Sequence, residues 1–148
     1  MKNIIFLLFA IVAGLVLPIQ AGLNARMARH IGHPIFATTI SFFVGTVALV
    51  AYSIAARLPT NELKNFTQAS WAEWIPGMLG AFYVAATVIL VPKLGAALTF
   101  ALIIAGQMVI SVILDHYGLI GLPVKALSAG RVIGIVLLVA GVVLIRKF

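Results

Sequence analysis

The sequence contains no cysteine, and only three of its 148 residues are acidic. The missing thiols exclude structural disulfides, thiolate catalysis and cysteine-ligated metal sites. The sequence shows no paired carboxylates, no nucleophile next to a base and no glycine-rich phosphate loop. Three scattered histidines (His30, His33 and His116) do not have the spacing of a metal site. We therefore predict neither an enzyme nor a bound metal or cofactor.

Charge of either sign is scarce in this chain. Charged residues make up 9% of the sequence and hydrophobic residues 64%, with a mean hydropathy of +1.22. A water-soluble domain of this length needs a polar coat that so few charges cannot supply. The ten cations stand singly or in pairs between apolar runs, which is typical of residues flanking membrane spans and not of a nucleic-acid interface. The composition predicts an integral membrane protein in contact with lipid, with no nucleic-acid partner.

Five apolar runs are long enough to cross a bilayer as helices. They are Ile4–Ala25, Ile35–Ala56, Trp74–Val91, Ala96–Leu114 and Leu127–Ile145. A cleaved signal peptide is the alternative for the first run, but Ile19 stands where cleavage near Ala21 requires a small side chain. The fifth run contains Arg131, which we expect to extend to the membrane surface. The sequence predicts an all-α bundle of five transmembrane helices forming a single membrane domain over residues 1–148.

The cations are evenly divided between the two sides that five spans define. One side carries Lys2, Arg57, Lys64, Lys125 and Arg131, and the other carries Arg26, Arg29, Lys93, Arg146 and Lys147. The positive-inside bias that normally orients a membrane protein is therefore absent. We predict insertion in both orientations and an antiparallel homodimer, a ten-helix inverted-repeat assembly. The alternatives are unequal weights of individual cations, or orientation by a paralogous partner subunit.

A few polar side chains fall within the predicted spans. Gln20 and Asn24 lie four residues apart in the first helix and share a face. Gln107, Ser111 and Asp115 form a polar side of the fourth helix, which we expect to face inwards. The predicted substrate-binding set is Gln20, Asn24, Ser41, Tyr83, Gln107 and Ser111. Hydrogen bonding between helices is the alternative role for these residues.

Asp115 is the one acid predicted near membrane depth, at the end of the fourth helix. A carboxylate opposes the helix dipole there, so it requires a nearby cation. We predict an ion pair with Arg131, with Lys125 as the second candidate. The pair either contributes to coupling transport to an ion or holds the loop between the fourth and fifth helices.

Four stretches of the chain resemble the small bacterial YdcZ-type membrane family: residues 20–25, 41–46, 92–99 and 105–123. The resemblance covers essentially the whole chain, and the last stretch, residues 105–123, is its most specific part. It implies membership of the drug/metabolite transporter superfamily, whose larger members look like a duplicated five-helix unit. Small multidrug members of that superfamily carry a glutamate in the first helix, where this sequence has only Gln20 and Asn24 as polar residues.

Together these features predict a multi-pass transporter of the bacterial inner membrane. We expect export of a small metabolite or drug-like solute by a dimer of five-helix units. The alternative is a membrane subunit that does not transport and supports assembly or lipid organisation.

Overall fold

The computed structural model describes residues 2–148, with side chains for all of these except residues 2, 3 and 62. Its long helices are α1 (Lys2–Ile31), α2 (Pro34–Ala55), α3 (Ile75–Leu94), α4 (Ala96–Tyr117) and α5 (Ala129–Lys147). Short 3₁₀ turns at Thr60–Gln68, Trp71–Trp74 and Leu119–Gly121 lie in the connections, and the described residues form no strand. All five helices are long and apolar enough to cross a membrane. The predicted all-α membrane architecture is confirmed.

The described chain divides into two compact units, one ending at Lys93 and the other beginning at Leu94. The first unit contains α1, α2 and α3, and the second contains α4 and α5. The arrangement of the whole chain as a single membrane domain stays a prediction.

In the first unit, α1 and α2 form a hairpin that turns at Gly32 (φ +89°). His33 caps α2, because its Nδ1 accepts a hydrogen bond from the Ile35 amide at 3.2 Å. Pro34 follows as the first helical residue, where its missing N–H leaves no hydrogen bond unmade. Small buried side chains (Ala21, Ala25 and Ala37) allow the helix backbones to approach closely.

In the second unit, α4 and α5 form another hairpin around a compact loop. Gly118 ends α4 in the left-handed conformation (φ +61°) and donates its N–H to the Leu114 carbonyl. The Lys125 N–H donates a hydrogen bond to the Asp115 carbonyl oxygen at 2.8 Å, which brings the loop back to the end of α4. Ser128 caps α5, since its hydroxyl accepts from the Arg131 amide at 3.4 Å. The loop therefore brings residues 115 and 131 to the same end of the hairpin.

Large apolar side chains are exposed along every helix. Phe9, Leu49, Phe82 and Leu137 are each more than 60% accessible. Such surface would associate in water, whereas hydrocarbon covers it at no cost. The surface of the chain therefore fits lipid as its solvent.

Three helices continue at least three residues beyond their predicted ends, and α4 does so from Leu114 to Tyr117. Helix α1 continues six residues beyond Ala25. The predicted span stopped at Ala25 because the apolar run ends there, but Arg26, Met27, Ala28 and Arg29 all favour helix and extend it. Helix α3 continues through Pro92 to Leu94, where a tight turn over residues 92–95 was predicted. Gly95 alone separates α3 from α4, with φ +79°. Pro92 lacks the N–H that would otherwise donate to the Val88 carbonyl, so this last turn has one hydrogen bond fewer.

Candidate functional site

Three of the predicted site residues lie together on the α1–α2 hairpin. Gln20, Asn24 and Ser41 line one groove of about 360 Å³. The remaining lining side chains are apolar: Val16, Ile19, Leu23, Met27, Ile40 and Val44. At about 1.5 Å per helical residue, Gln20 lies about 17 Å before the end of α1 and Ser41 about 10 Å after the start of α2. The groove therefore combines three uncharged polar groups with an apolar wall at membrane depth.

Asn24 is the most constrained of these polar groups. Its side chain is 5% exposed, and its Nδ2 atom is buried without a hydrogen-bond partner among the described residues. A buried donor that lacks an acceptor costs about 1–3 kcal/mol. Asn24 therefore lines the groove with an Nδ2 group whose capacity to donate a hydrogen bond is unmet.

Tyr83, on α3, also has a buried hydroxyl with no partner among the described residues. It does not line the groove that holds Gln20, Asn24 and Ser41. The structure therefore supports Tyr83 as an unsatisfied polar group of the first unit but does not join it to this groove.

Unlike Asn24 and Tyr83, three buried threonines have side-chain hydroxyls that are hydrogen-bonded within the chain. Thr38, Thr87 and Thr99 donate to carbonyl oxygens of their own helices, those of Pro34, Val84 and Gly95, at 2.7–3.0 Å. These hydroxyls need no external partner. The contrast singles out Asn24 and Tyr83 as the polar groups available for another function.

The polar side of α4 contributes a second pocket, entirely within the second unit. Ser111, Asp115 and Arg131 line it together with Met108, Val112, Gly134 and Ile135, around a volume of about 300 Å³. Gln107 lies outside this lining and is exposed. The six predicted substrate-binding residues are thus divided: three share the groove, Ser111 lines this pocket, and Tyr83 and Gln107 line neither.

Asp115 and Arg131 form an ion pair, with Arg131 Nη1 at 3.3 Å from Asp115 Oδ2. The same Arg131 nitrogen donates to the Lys125 carbonyl oxygen at 3.1 Å. The pairing has the partners expected from the sequence, and a role in coupling stays a prediction. The Arg131 guanidinium therefore links the start of α5 to the end of α4 and to the loop between them.

His116 supports the same loop, a role that the sequence did not indicate. Its Nδ1 accepts a hydrogen bond from the Leu127 amide at 3.1 Å, and its ring packs edge-on against Tyr117 at 4.8 Å. The contact spans eleven residues, so no local spacing could have revealed it. Among the described residues no cluster of three metal-binding side chains occurs.

Comparisons with known proteins show which family the sequence matches. The family model described as "Putative inner membrane exporter, YdcZ" matches residues 5–144. The chain is 30% identical to the inner membrane protein YdcZ of Escherichia coli (strain K12), over 99% of this chain and 98% of that protein. No solved structure matches the chain significantly.

Proposed function

Because this chain belongs to the YdcZ family and is a multi-pass protein of the inner membrane, we propose that it is a transporter that exports a small metabolite or drug-like solute. The observation that carries this proposal is the buried Asn24 amide, which lacks a partner in a groove shared with Gln20 and Ser41. A solute that accepts a hydrogen bond would satisfy it.

The groove favours an uncharged, amphipathic solute. Its polar groups are two amides and a hydroxyl, and no charged side chain lines it. An ion bound there would lose its hydration without gaining a counter-charge, which is costly at membrane depth. A neutral molecule with one or two acceptor groups and an apolar body fits both the walls and the polar residues.

We propose that two chains form the working unit, as an antiparallel homodimer or with a paralogous partner. Five spans and evenly divided cations support insertion in both orientations. A chain of this size offers an open groove on one hairpin, and a second copy would cover it and create an enclosed path. Reporters fused after Phe148 test this assembly, since signal from both sides of the membrane is expected and signal from one side only contradicts it.

The transport proposal is tested with Asn24→Ala in cells that produce equal amounts of variant and wild-type protein. We expect the wild type to raise the concentration of one or more neutral metabolites in the medium, measured by mass spectrometry, and Asn24→Ala to reduce that export about fivefold. The estimate follows from the loss of one hydrogen bond to the solute, about 1 kcal/mol. Gln20→Ala is expected to act in the same direction.

Ser53→Ala is the matched control for these variants. Ser53 is a small polar residue of α2 whose hydroxyl donates to the Leu49 carbonyl at 2.8 Å, and it does not line the groove. We expect this variant to export like the wild type. Full export by Asn24→Ala, or equal losses in Asn24→Ala and Ser53→Ala, would contradict the proposed site.

A subunit without transport activity is the second candidate. It is favoured by the seam of small buried residues (Ala21, Ala25, Ala37 and Thr38), which suits close packing of helices. Wild-type cells that export nothing, together with an Asn24→Ala variant that assembles poorly, would support this function instead.

A further inference from the structure

A second groove lies at the end of the first unit where α1 turns into α2. Its volume is about 400 Å³, and two of its lining residues are cations, Arg29 and Lys93. The other lining residues are apolar: Ala25, Ala28, Pro34, Val88, Ile89 and Pro92. The groove for Gln20, Asn24 and Ser41 has no residue in common with it.

Both cations are exposed, and neither has an acid nearby in the chain. Residues 26–34 and 92–95 contain no Asp or Glu. Among the described side chains, the one ion pair joins Asp115 to Arg131. The positive charge of Arg29 and Lys93 is therefore available to an anion from outside the protein.

The groove lies at the level where headgroups meet hydrocarbon. Helix α2 has 22 residues and is about 33 Å long, close to the thickness of a bilayer core, so its first residue, Pro34, lies near the membrane surface. Arg29 and Lys93 occupy the last turns of α1 and α3 at this end. Ala25 and Val88, about one turn further in, are 3% and 2% exposed and form the apolar floor.

Helix dipoles alone do not account for this arrangement. A cation in the last turn of a helix is favourable wherever it occurs, and Arg146 and Lys147 at the end of α5 are an example. Arg29 and Lys93 differ because they border one groove with an apolar floor. That combination matches a molecule with an anionic head and a hydrocarbon tail.

We propose that this groove binds an anionic phospholipid, with its phosphate held by Arg29 and Lys93 and one acyl chain lying along Ala25, Ala28, Val88 and Ile89. The site is separate from the transport groove and does not depend on the proposed solute. Basic pockets between helices at the membrane surface are a known means of holding such headgroups.

The test measures lipid retained by the full-length protein in detergent by native mass spectrometry. Phosphatidylglycerol and phosphatidylcholine with identical acyl chains are titrated into delipidated wild type and into the Arg29→Gln/Lys93→Gln variant. We expect the wild type to prefer phosphatidylglycerol and the variant to lose about 30-fold in affinity for it. That loss corresponds to about 1 kcal/mol for each cation next to an anionic headgroup.

Arg146→Gln/Lys147→Gln is the matched control, since it removes the same charge from another helix end that the count of spans places on the same membrane side. We expect its affinity for phosphatidylglycerol to change by less than about threefold, because long-range effects of exposed charge are screened. Equal losses in the two double variants, or no preference for phosphatidylglycerol in the wild type, would overturn the proposal.

Two further arms address the acyl chain and the fold. Ala28→Leu keeps both cations but fills the groove, and we expect it to weaken retention of phosphatidylglycerol even though Arg29 and Lys93 remain. Glycerol phosphate, which carries the head without the tail, is expected not to displace the lipid at equal concentration. Undiminished retention in Ala28→Leu, or displacement by glycerol phosphate, would show that a surface phosphate site suffices and that no chain occupies the groove.

Discussion

The ion pair between Asp115 and Arg131 provides the sharpest test of the second unit. The two side chains are 30% and 32% exposed, and Arg131 Nη1 also donates to the Lys125 carbonyl. Partly exposed pairs contribute about 1 kcal/mol, and a further hydrogen bond from a charged group contributes about 1 kcal/mol more. Removing Arg131 should therefore cost about twice as much as removing the charge of Asp115.

We predict unfolding free energies from a double-mutant cycle of Asp115→Asn, Arg131→Gln and the combined variant. Asp115→Asn should cost about 1 kcal/mol and Arg131→Gln about 2 kcal/mol. The combined variant should also cost about 2 kcal/mol, because the second change removes a contact already lost, giving a coupling of about 1 kcal/mol. Reversible unfolding of the full-length protein in mixed micelles, followed by circular dichroism, measures these values.

Lys125→Gln is the control partner for Asp115→Asn in this cycle. Arg131 contacts only the backbone carbonyl of Lys125, and the Lys125 side chain forms no ion pair among the described residues. Asp115→Asn and Lys125→Gln should therefore be additive within about 0.5 kcal/mol. Additive costs for Asp115→Asn and Arg131→Gln as well would refute the pair as a stabilising contact.

The same variants separate a structural role from a coupling role. If Asp115 only holds the loop, export by Asp115→Asn should fall no further than the amount of folded protein. A loss of export at full folded yield would instead assign Asp115 a part in transport.

Two further predictions concern loops outside the grooves. Gly118→Ala should destabilise by about 2–4 kcal/mol, since its φ is +61° and its Cβ would lie 2.6 Å from Val124 Cγ2. Gly121 also has a positive φ, but a Cβ there would meet nothing within 4 Å, so Gly121→Ala should cost only about 1–2 kcal/mol. Val124→Ala should partly rescue Gly118→Ala because it removes the clashing methyl group. Thermal unfolding in detergent measures these costs, and equal costs at the two glycines would contradict the steric argument. Glu73→Gln should cost less than about 1 kcal/mol in the same assay, because its Oε2 accepts from the Ser70 amide at 2.7 Å and a glutamine oxygen can replace it, whereas Glu73→Ala should cost more.

Hydropathy was sufficient to predict the five spans, since each run long enough to cross a bilayer became a helix. It was a poor guide to helix ends. Arg26 and Arg29 end the apolar run but not α1, because a helix needs hydrogen-bonded turns and only Gly32 breaks them. In the same way, Pro92 ends a hydropathy segment while its backbone remains helical.

The candidate site was predictable within one helix and less so between helices. Gln20 and Asn24 share a face because they are one turn apart, and the structure keeps them in one groove. Gln107 was assigned to the same face as Ser111 and Asp115, yet at about 3.6 residues per turn it lies about 80° around the helix from Asp115. Met108 lies within about 20° of Asp115 and lines the pocket, whereas Gln107 does not.

The groove bordered by Arg29 and Lys93 could not have been predicted from periodicity. The two residues lie 64 positions apart, on different helices, and each reads in the sequence as an ordinary flanking cation. Their common groove depends on which faces of α1 and α3 approach each other. That choice depends on side-chain packing, which hydropathy does not encode.

The distribution of acids connects the two proposals. By the count of spans, Glu62, Glu73 and Asp115 all lie on the side of the N-terminus, so the end with the Arg29–Lys93 groove carries cations alone. In an antiparallel pair, each membrane face would present one acid-free end and one acid-containing end. The pair would then have no net charge difference between its faces, and its two lipid grooves would lie in opposite leaflets. A pair inserted in one orientation would place both grooves in the same leaflet. Bound anionic lipid that originates from both leaflets would therefore support the antiparallel pair, and lipid from one leaflet alone would support a pair with a single orientation.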